Sequence, residues 1–464
     1  MTTKVGNIKD SERPLAVQIL LFVLPVIATS VLHSLFNTAD TYMVGNFGGA
    51  TEEECQTALA AVGSCSSLIN LLVNFFMTLS LGAGVTVAQS YGAKNYDVMR
   101  RAVPTAVIIG GIFGVVVMVT GELFAEPLLV LMGTTPSALP QAVLYMKAYF
   151  LGIPASLIYN YAAACLRSTG DTTHPLVFLT TGGVCNVIFN FITVVGFGMG
   201  ALGVGLATAV SQVVSCILVL IHLFRGKGMC KLAIKELKID FPVLKKMLII
   251  GIPAGIQSVL FSISNVMIQA SVNSFGSEAV VAGNTSAGTV GDYVYVIQNG
   301  FYQGALTFTG QFFGARRPDK IKKATLWCLF YVTAFGLFFG TLANVFAVPL
   351  LSIFLKDSAA IEVGVIRLLW IVQPYFLCGV MEVGSGVLRG PGKSTLSMII
   401  ALLGSCAFRI LWITLVFSQH HTLPWLYVSY AISWIVTSIV YYIFAFVNVN
   451  KYQKRFAAED AMAR

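Results

Sequence analysis

The sequence predicts an all-α integral membrane protein in which twelve transmembrane helices form two six-helix lobes. Three observations support this prediction. Apolar residues make up 56% of the 464-residue chain and charged residues only 11%, whereas about a quarter of an ordinary soluble domain is charged. Basic residues gather in alternate linkers between apolar segments, and the second half of the chain repeats motifs of the first half. The repeat predicts that a pseudo-two-fold axis along the membrane normal relates the two lobes.

Hydropathy divides the chain into twelve apolar segments, each long enough to cross about 30 Å of hydrocarbon. The start, MTTKVGNIKDSER, lacks the layout of a cleaved signal, so we expect the first segment to be an uncleaved helix. Nine cysteines form no CxxC pair, which favours small buried side chains over a disulfide framework or a structural metal site. The predicted segments are residues 15–44, 58–88, 102–121, 141–165, 175–196, 201–223, 247–271, 280–310, 324–346, 367–387, 394–417 and 425–447.

Charge alternates between the linkers. One set of linkers, together with the two termini, holds 25 of the 29 lysines and arginines, whereas the other set is acidic or neutral. One miscounted helix would invert every later linker, so the alternation supports the count of twelve. The positive-inside rule then predicts that both termini and the basic linker 225–246 lie in the cytoplasm. The net charge of +9 is a signal of topology, and no nucleic-acid partner is expected.

Two separate matches at one spacing reveal an internal repeat. Residues 82–94, GAGVTVAQSYGAK, align with residues 304–316, GALTFTGQFFGAR, at an offset of 222 in the numbering. At the same offset LRSTG, starting at Leu166, meets LRGPG, starting at Leu388. Pro25 and Pro253 align at an offset of 228. The predicted domains are therefore a first lobe, residues 1–224, the linker 225–246, and a second lobe, residues 247–464.

A carboxylate, two amides and a hydroxyl are predicted to share one depth in the outer half of the first lobe. Asp40 lies about five residues, or roughly 8 Å of helix rise, from the end of its segment, and Asn190 and Thr208 lie at a similar level. Asn186 and Asn190 are one helical turn apart. A charge at membrane depth costs several kcal/mol and is usually functional. The set could bind a proton on Asp40 or a small hard cation such as Na+. Pro25 removes a backbone hydrogen bond in the same helix, so the helix is predicted to bend there. There are alternatives to a functional site. Asp40 could lie at a helix end that is exposed to water, and the asparagines could form hydrogen bonds between helices.

The second lobe does not repeat this set. It carries instead Asp292, Glu382 and Arg409 within apolar segments. A buried arginine needs a partner, so we expect Arg409 to form an internal ion pair with Glu382 or Asp292, with a structural or a gating role.

One motif of soluble enzymes is excluded by its context. The residues GPGKS at 390–394 resemble the end of a phosphate-binding loop, but Val387 stands where that loop requires its first glycine. No strand is predicted before it. We therefore expect neither nucleotide hydrolysis nor any other enzymatic activity, no cofactor, and transport driven by a gradient of H+ or Na+.

Three groups of motifs resemble the multidrug and toxic compound extrusion (MATE) family, and in particular its bacterial MepA-like and DinF-like branches. They are FNTADTYMVG around Asp40, the repeats AQSYGAK and GQFFGAR, and the loops LRSTGDT and LRGPGKS. The resemblance implies a V-shaped, monomeric pair of lobes in the lipid bilayer that exports organic cations and other amphipathic drug-like molecules by cation-coupled antiport. It also implies that Asp40, Asn186, Asn190 and Thr208 form the first-lobe cation site. Some members carry aspartate in place of Asn190.

Two other classes of function compete with a drug antiporter. A lipid-linked saccharide flippase of related architecture would be expected to show a cavity rich in Arg and Lys, whereas here Arg409 faces three acids at membrane depth. The second competing class is a membrane receptor or channel without transport activity. The two-lobe repeat with buried ionisable groups fits a transporter with alternating access better than it fits that class.

Overall fold

The computed structural model describes residues 13–226 and 228–462. The first twelve residues, where we expect no cleaved signal, lie outside this range. Within the described residues the chain is helical and contains no strand, which confirms the predicted all-α class. Eleven of the described helices are long and apolar enough to cross a membrane.

Twelve long helices follow one another in the described part of the chain, each near a predicted segment. Three of them include stretches of π-helix, and short helices lie at Ile234–Glu236 and Ala347–Ser352. The twelve are α1 (Leu15–Phe47), α2 (Glu52–Gly92), α3 (Tyr96–Leu131), α4 (Leu139–Ser168), α5 (Thr173–Gly196), α6 (Gly200–Arg225), α7 (Phe241–Asn273), α8 (Glu278–Gly314), α9 (Pro318–Val345), α10 (Ser358–Arg389, with a break near residue 373), α11 (Ser394–Phe417) and α12 (Leu423–Met462).

Several helices extend beyond the apolar segments that predict them, and α2 shows why. Its first turn is polar, so hydropathy does not include it, but a capping box starts the helix at Glu52. The Thr51 hydroxyl accepts a hydrogen bond from the Glu54 N–H at 3.2 Å, and a Glu54 carboxylate oxygen accepts from the Thr51 N–H at 3.4 Å.

Helix α8 is the one described long helix that falls short of the apolar threshold for a membrane span. It is rich in glycine, threonine, asparagine and glutamine, but many of these residues are buried against other helices, among them Gln298, Thr309 and Gln311. These polar side chains are therefore packed inside the protein, as expected for polar residues at membrane depth.

The contacts divide the chain into two compact units. One comprises residues 13–27, the short segment Ala88–Lys94 and the described residues from Ile256 onward. In this unit the two copies of the repeated motif pack against each other. A Cβ atom on Gly92 would lie 2.6 Å from the carbonyl carbon of Gln311, and one on Gly314 would lie 2.8 Å from that of Gln89. The equivalent glycines of the two repeats are thus required for reciprocal close contact.

The other unit comprises Ala28–Val87 and Asn95–Gly255. Its core is formed largely by α2, α3, α4 and α6, and the basic linker folds onto α3, where Arg101 pairs with Asp240 at 3.0 Å. Helix α1 belongs to both units, because the division crosses it between Ile27 and Ala28, shortly after Pro25. The predicted lobe boundaries at residues 224 and 247 remain predictions.

Candidate ion-binding site

Three helices of the unit Ala28–Val87 and Asn95–Gly255 bring the predicted polar set together. Helix α1 supplies Asp40, α5 supplies Asn186 and Asn190 on one face, and α6 supplies Thr208. Asn190 is the last residue of α5 before the helix widens into a π-helical stretch, Phe191–Gly196. Such local π-helices are often found at functional sites.

Two adjacent glycines allow α5 to approach both neighbouring helices. Gly183 packs directly under the Phe36 ring of α1, at a place where no Cβ atom would fit. A Cβ atom on Gly182 would lie 2.8 Å from the Ser211 carbonyl oxygen of α6. Small residues permit this kind of close approach between membrane helices. The pair lies one to two turns before the asparagines, so it sets the distance of α5 from Asp40 and Thr208.

The four side chains form one hydrogen-bonded cluster. The Asn190 amide donates to Asp40 Oδ1 at 2.5 Å and to Asn186 Oδ1 at 3.3 Å. The Thr208 hydroxyl lies 3.2 Å from Asp40 Oδ2, and the Asn186 amide donates to that hydroxyl at 3.4 Å. Residues that are 150 and 168 positions from Asp40 in sequence thus contact its carboxyl group directly.

The cluster leaves oxygen atoms unsatisfied. Asn190 is fully buried, and its Oδ1 atom has no hydrogen-bond partner among the described residues. The single hydroxyl proton of Thr208 is shared between two acceptors, Asp40 Oδ2 and the Val204 carbonyl oxygen at 2.9 Å. The Asp40 carboxylate therefore receives at most two of the roughly four hydrogen bonds that it can accept from these groups. An unpaired buried acceptor costs about 1–3 kcal/mol, so a group that supplies positive charge here would be stabilising.

The chemistry of the cluster fits a proton or a small hard cation. Each group that could act as a ligand is a carboxylate, amide or hydroxyl oxygen, the ligand type that hard cations prefer. Neither sulfur nor imidazole takes part in the contacts described above, so the set is unlike a site for a soft transition metal. Asp40 is the one carboxylate in the set, and its charge can be neutralised either by protonation or by the bound ion.

A cavity of about 600 Å³ lies in the same unit, next to the loop that follows α1. Asn46 and Gly48 line it from the α1 side, and Gln141 and Met199 line it from the α4 and α6 sides. Asn46 is six residues beyond Asp40, or about 9 Å along the helix. The side-chain oxygen Oε1 of Gln141 is buried without a hydrogen-bond partner among the described residues, so the cavity has a polar group in its wall.

The predicted ion pair of Arg409 is absent, and this prediction was wrong. Among the described residues no carboxylate lies within 4.0 Å of its guanidinium, so neither Glu382 nor Asp292 is its partner. The Arg409 guanidinium instead packs over the Tyr430 ring, 4.1 Å from its centroid, and donates to Ser433 Oγ at 3.1 Å. The face of an aromatic ring attracts a cation, so the buried charge is stabilised without an acid.

The two acids interact with other arginines. Neither acid has a basic group within 4.0 Å among the described residues, so the charges of Arg367 on Asp292 and of Arg389 on Glu382 act at longer range. Arg389, which sequence reasoning placed in a basic loop, is buried at the end of α10 and donates to Tyr302 Oη at 2.6 Å and to Gln257 Oε1 at 2.7 Å.

One sequence signal could have revealed the second polar network. Glu382 and Arg389 are seven residues apart, which places them two turns apart on one face of a helix. The predicted segment 367–387 ends two residues before Arg389, whereas α10 continues through that residue.

Comparisons with known proteins agree with the repeat and with the fold. The MatE family model matches the chain twice, at residues 25–192 and 253–414. The first residues of the two matches differ by 228 in the numbering and the last residues by 222. These are the offsets at which Pro25 aligns with Pro253 and the repeated motifs align. The predicted internal duplication is thereby confirmed.

Curated relatives cover most of the chain. The chain is 27% identical over 389 residues to the probable multidrug resistance protein YoeA of Bacillus subtilis, with 82% of each protein covered. It is 22% identical over 409 residues to the multidrug export protein MepA of Staphylococcus aureus strain N315, covering 87% of this chain and 88% of MepA.

A solved structure shares the fold. It is described as the outward-facing conformation of a multidrug resistance MATE family transporter of the MOP superfamily, and it matches with a TM-score of 0.85 at 20% identity. The match covers 94% of this chain and 96% of that one. Taken together with the twofold match of the family model, these likenesses show that this multi-pass membrane protein belongs to the MatE family of multidrug transporters.

Proposed function

We propose that this chain is a secondary active multidrug exporter, which couples the inward movement of H+ or Na+ to the export of organic cations and amphipathic drugs. The proposal places the protein in a bacterial cytoplasmic membrane as a monomer, with both termini in the cytoplasm. The drug-like substrate class follows the names of the relatives YoeA and MepA. The family establishes transport of this general kind, and the coupling ion and the mechanism are our inference.

The observation that carries the proposal is the contact of Asp40 with Asn190 and Thr208, beside a buried acceptor that lacks a partner among the described residues. A structural hydrogen-bond cluster would be expected to satisfy its own acceptors, because an unpaired buried oxygen destabilises the fold. An ion site has the opposite requirement, since its oxygens must remain free for the ion. The unpaired Asn190 Oδ1 atom, close to a carboxylate, meets that requirement.

Two states of Asp40 explain how an ion could drive a conformational change. In the ion-loaded state the cation neutralises Asp40 and draws Asn190 Oδ1 and Thr208 Oγ1 toward itself. In the protonated state the carboxyl group becomes a donor and can give its proton to a neighbouring oxygen. Each state favours a different set of contacts between α1, α5 and α6, so the ion shifts the equilibrium between conformations. Pro25 supports this step, because α1 lacks one backbone hydrogen bond there and can bend.

Coupling requires that drug and ion affect each other's binding by the same factor, as in any linked equilibrium. The structure leaves the lipid-linked saccharide flippase without comparable support. A flippase would need free basic groups for its substrate. In this chain the buried Arg389 is hydrogen-bonded to Tyr302 and Gln257, and the buried Arg409 packs on the Tyr430 ring, so the two arginines do not form a free basic site.

The proposal is tested with inside-out membrane vesicles that contain the full chain. A fluorescent cationic dye is added outside, and either a pH gradient or a Na+ gradient is imposed with the other held at zero. We expect dye accumulation that depends on one of the two gradients, and loss of that accumulation in the Asp40→Asn variant. The matched control is Glu126→Gln, which neutralises an exposed carboxylate on α3. Accumulation without any ion gradient, or with neither gradient effective, would contradict ion-coupled export.

A further inference from the structure

A second cluster of ionisable side chains lies far from the candidate ion site. Asp171 and His174 stand at the start of α5, and His222 lies in the last turn of α6. The His174 ring nitrogen Nδ1 is 2.7 Å from Asp171 Oδ2, and His222 Nε2 is 3.8 Å from the same oxygen. Asn190 and Thr208 lie toward the opposite ends of these two helices. Asn190 is 16 residues, or about 24 Å, from His174 along α5, and Thr208 is 14 residues, or about 21 Å, from His222 along α6.

We propose that Asp171, His174 and His222 form a binding site for a divalent transition-metal ion such as Zn2+. Each residue offers one ligand atom, and these three atoms all lie within 4.8 Å of one another. Ligands about 2 Å from a tetrahedral zinc ion are separated from each other by roughly 3.3 Å. The two distances from Asp171 Oδ2, 2.7 and 3.8 Å, fall on either side of that value, so small side-chain rotations suffice to accommodate the ion.

The identity of the ligands determines the class of metal. Two imidazoles and one carboxylate suit zinc and neighbouring transition metals, whereas the all-oxygen set around Asp40 suits a hard cation. Three protein ligands leave the remaining position for water. The side chains are accessible enough for that, since Asp171 is 28% exposed, His174 is 41% exposed and His222 is 25% exposed.

The packing of the rings also favours metal binding. The His174 and His222 rings lie 4.2 Å apart between centroids, and the Phe178 ring lies within 6.0 Å of both. These ring contacts hold the two imidazoles side by side, next to the Asp171 carboxylate. The Asp171 carboxylate also accepts a hydrogen bond from the His174 backbone N–H at 3.2 Å, which holds Asp171 and His174 together at the helix start.

A metal ion at this site would join the start of α5 to the end of α6. These are the two helices that carry the asparagines and Thr208 of the candidate ion site. Occupancy would therefore restrict relative movement of α5 and α6. The binding proposal itself does not rest on the proposed transport function, because it follows from the three ligand atoms alone.

The test is titration of the full-length protein, purified in detergent without a polyhistidine tag, with Co2+ and then with Zn2+. We expect one equivalent of Co2+ to give visible ligand-field absorption without the charge-transfer band of a cobalt thiolate, and Zn2+ to displace it. A thiolate band would instead indicate binding at one of the nine cysteines and would overturn the proposal. Absence of stoichiometric Co2+ and Zn2+ binding would overturn it equally.

Variants on two different helices locate the site. His174→Ala on α5 and His222→Ala on α6 should each weaken Zn2+ binding by at least about tenfold, the loss that removal of even a supporting group produces. The matched control changes two histidines in the loop before α12, His420→Ala with His421→Ala, and should bind as the wild type does. Loss of binding in the control, with retention in both cluster variants, would refute the assignment.

Thermal unfolding gives an independent readout that does not depend on cobalt. Zn2+ at a hundredfold excess over its Kd should stabilise the wild-type protein and the control by about 2.7 kcal/mol, because it binds the folded state. Without metal, the unfolding temperatures of His174→Ala and His222→Ala should be close to that of the wild type. Addition of Zn2+ should not raise the unfolding temperature of either variant. A Zn2+ shift that survives in both variants would contradict the proposal.

Discussion

Truncation of Asn190 separates the two interpretations of the Asp40 cluster. In the Asn190→Ala variant the folded protein loses a hydrogen bond to a carboxylate, worth about 1.5–3 kcal/mol, and one to the Asn186 amide, worth about 1 kcal/mol. The same change removes the unpaired Oδ1 atom, whose burial costs about 1–3 kcal/mol. These contributions largely cancel, so we expect the free energy of unfolding to fall by only about 1–2 kcal/mol.

Ion binding should be affected more strongly than stability. The ion-loaded state loses both a ligand oxygen and the amide that orients Asp40, with no compensating gain. A loss of about 1.4 kcal/mol or more in ion affinity corresponds to a rise of about tenfold or more in the ion concentration that gives half-maximal dye uptake. The assay measures dye uptake by proteoliposomes while the concentration of the coupling ion that drives uptake is varied. Thermal unfolding is measured on the same protein preparations.

The matched control for this prediction is Asn448→Ala in α12, whose amide donates to the Phe444 carbonyl of its own helix. It should leave the ion dependence unchanged. The reasoning is refuted if Asn190→Ala keeps the wild-type ion dependence and loses more than about 3 kcal/mol of stability, a result that would assign Asn190 a purely structural hydrogen-bonding role.

Two further predictions concern packing and thiol reactivity. Gly92→Ala should destabilise the protein by about 1–3 kcal/mol, because its methyl group would overlap the Gln311 backbone, whereas Gly63→Ala in the same helix meets open space and should be neutral or slightly stabilising in thermal unfolding. Burial raises the pKa of Cys230 to about 12, so Cys230 should react with maleimide far more slowly than a cysteine introduced at the exposed Lys235. The cysteine at position 235 should be labelled from the cytoplasmic side. Labelling of that cysteine from outside would reverse the proposed topology, and rapid labelling of Cys230 would contradict its burial.

Relative depth within the predicted segments was enough to bring the Asp40 set together from the sequence. Alternating linker charge predicts the direction of each helix, and the helical rise then predicts that Asp40, Asn190 and Thr208 lie at one level. Polar side chains at one level in neighbouring helices tend to find one another, because lipid offers no hydrogen bonds. Contact between these residues in the structure agrees with that reasoning, and their role in ion binding stays a prediction.

Partner choice could not be predicted in the same way. Arg409 is buried as expected, whereas Glu382 is only half-buried and Asp292 is exposed. The rotation of each helix decides which side chains are buried and which groups face each other. The depth of a residue along its helix carries no information about the rotation of that helix. An aromatic ring can also replace an acid as the partner of a buried cation, as the Tyr430 ring does for Arg409.

The histidine cluster shows a different reason for a missed site. His174 and His222 lie far apart in the sequence, on two different helices, and are brought together only by the antiparallel packing of α5 and α6. The nearby pair of Asp171 and His174, three residues apart at a helix start, is the local signal that sequence analysis could have used.

The most direct test of the account is gradient-driven transport by the Asp40→Asn variant. This change keeps the size of the side chain but holds it in a permanently neutral state. We predict that proteoliposomes with Asp40→Asn show no dye uptake above an empty-vesicle control under the gradient that drives the wild type, while the purified variant unfolds at a temperature close to that of the wild type. The Glu126→Gln control should transport as the wild type does. Dye uptake by Asp40→Asn equal to that of the wild type would contradict the central claim and leave Asp40 with a purely structural hydrogen-bonding role.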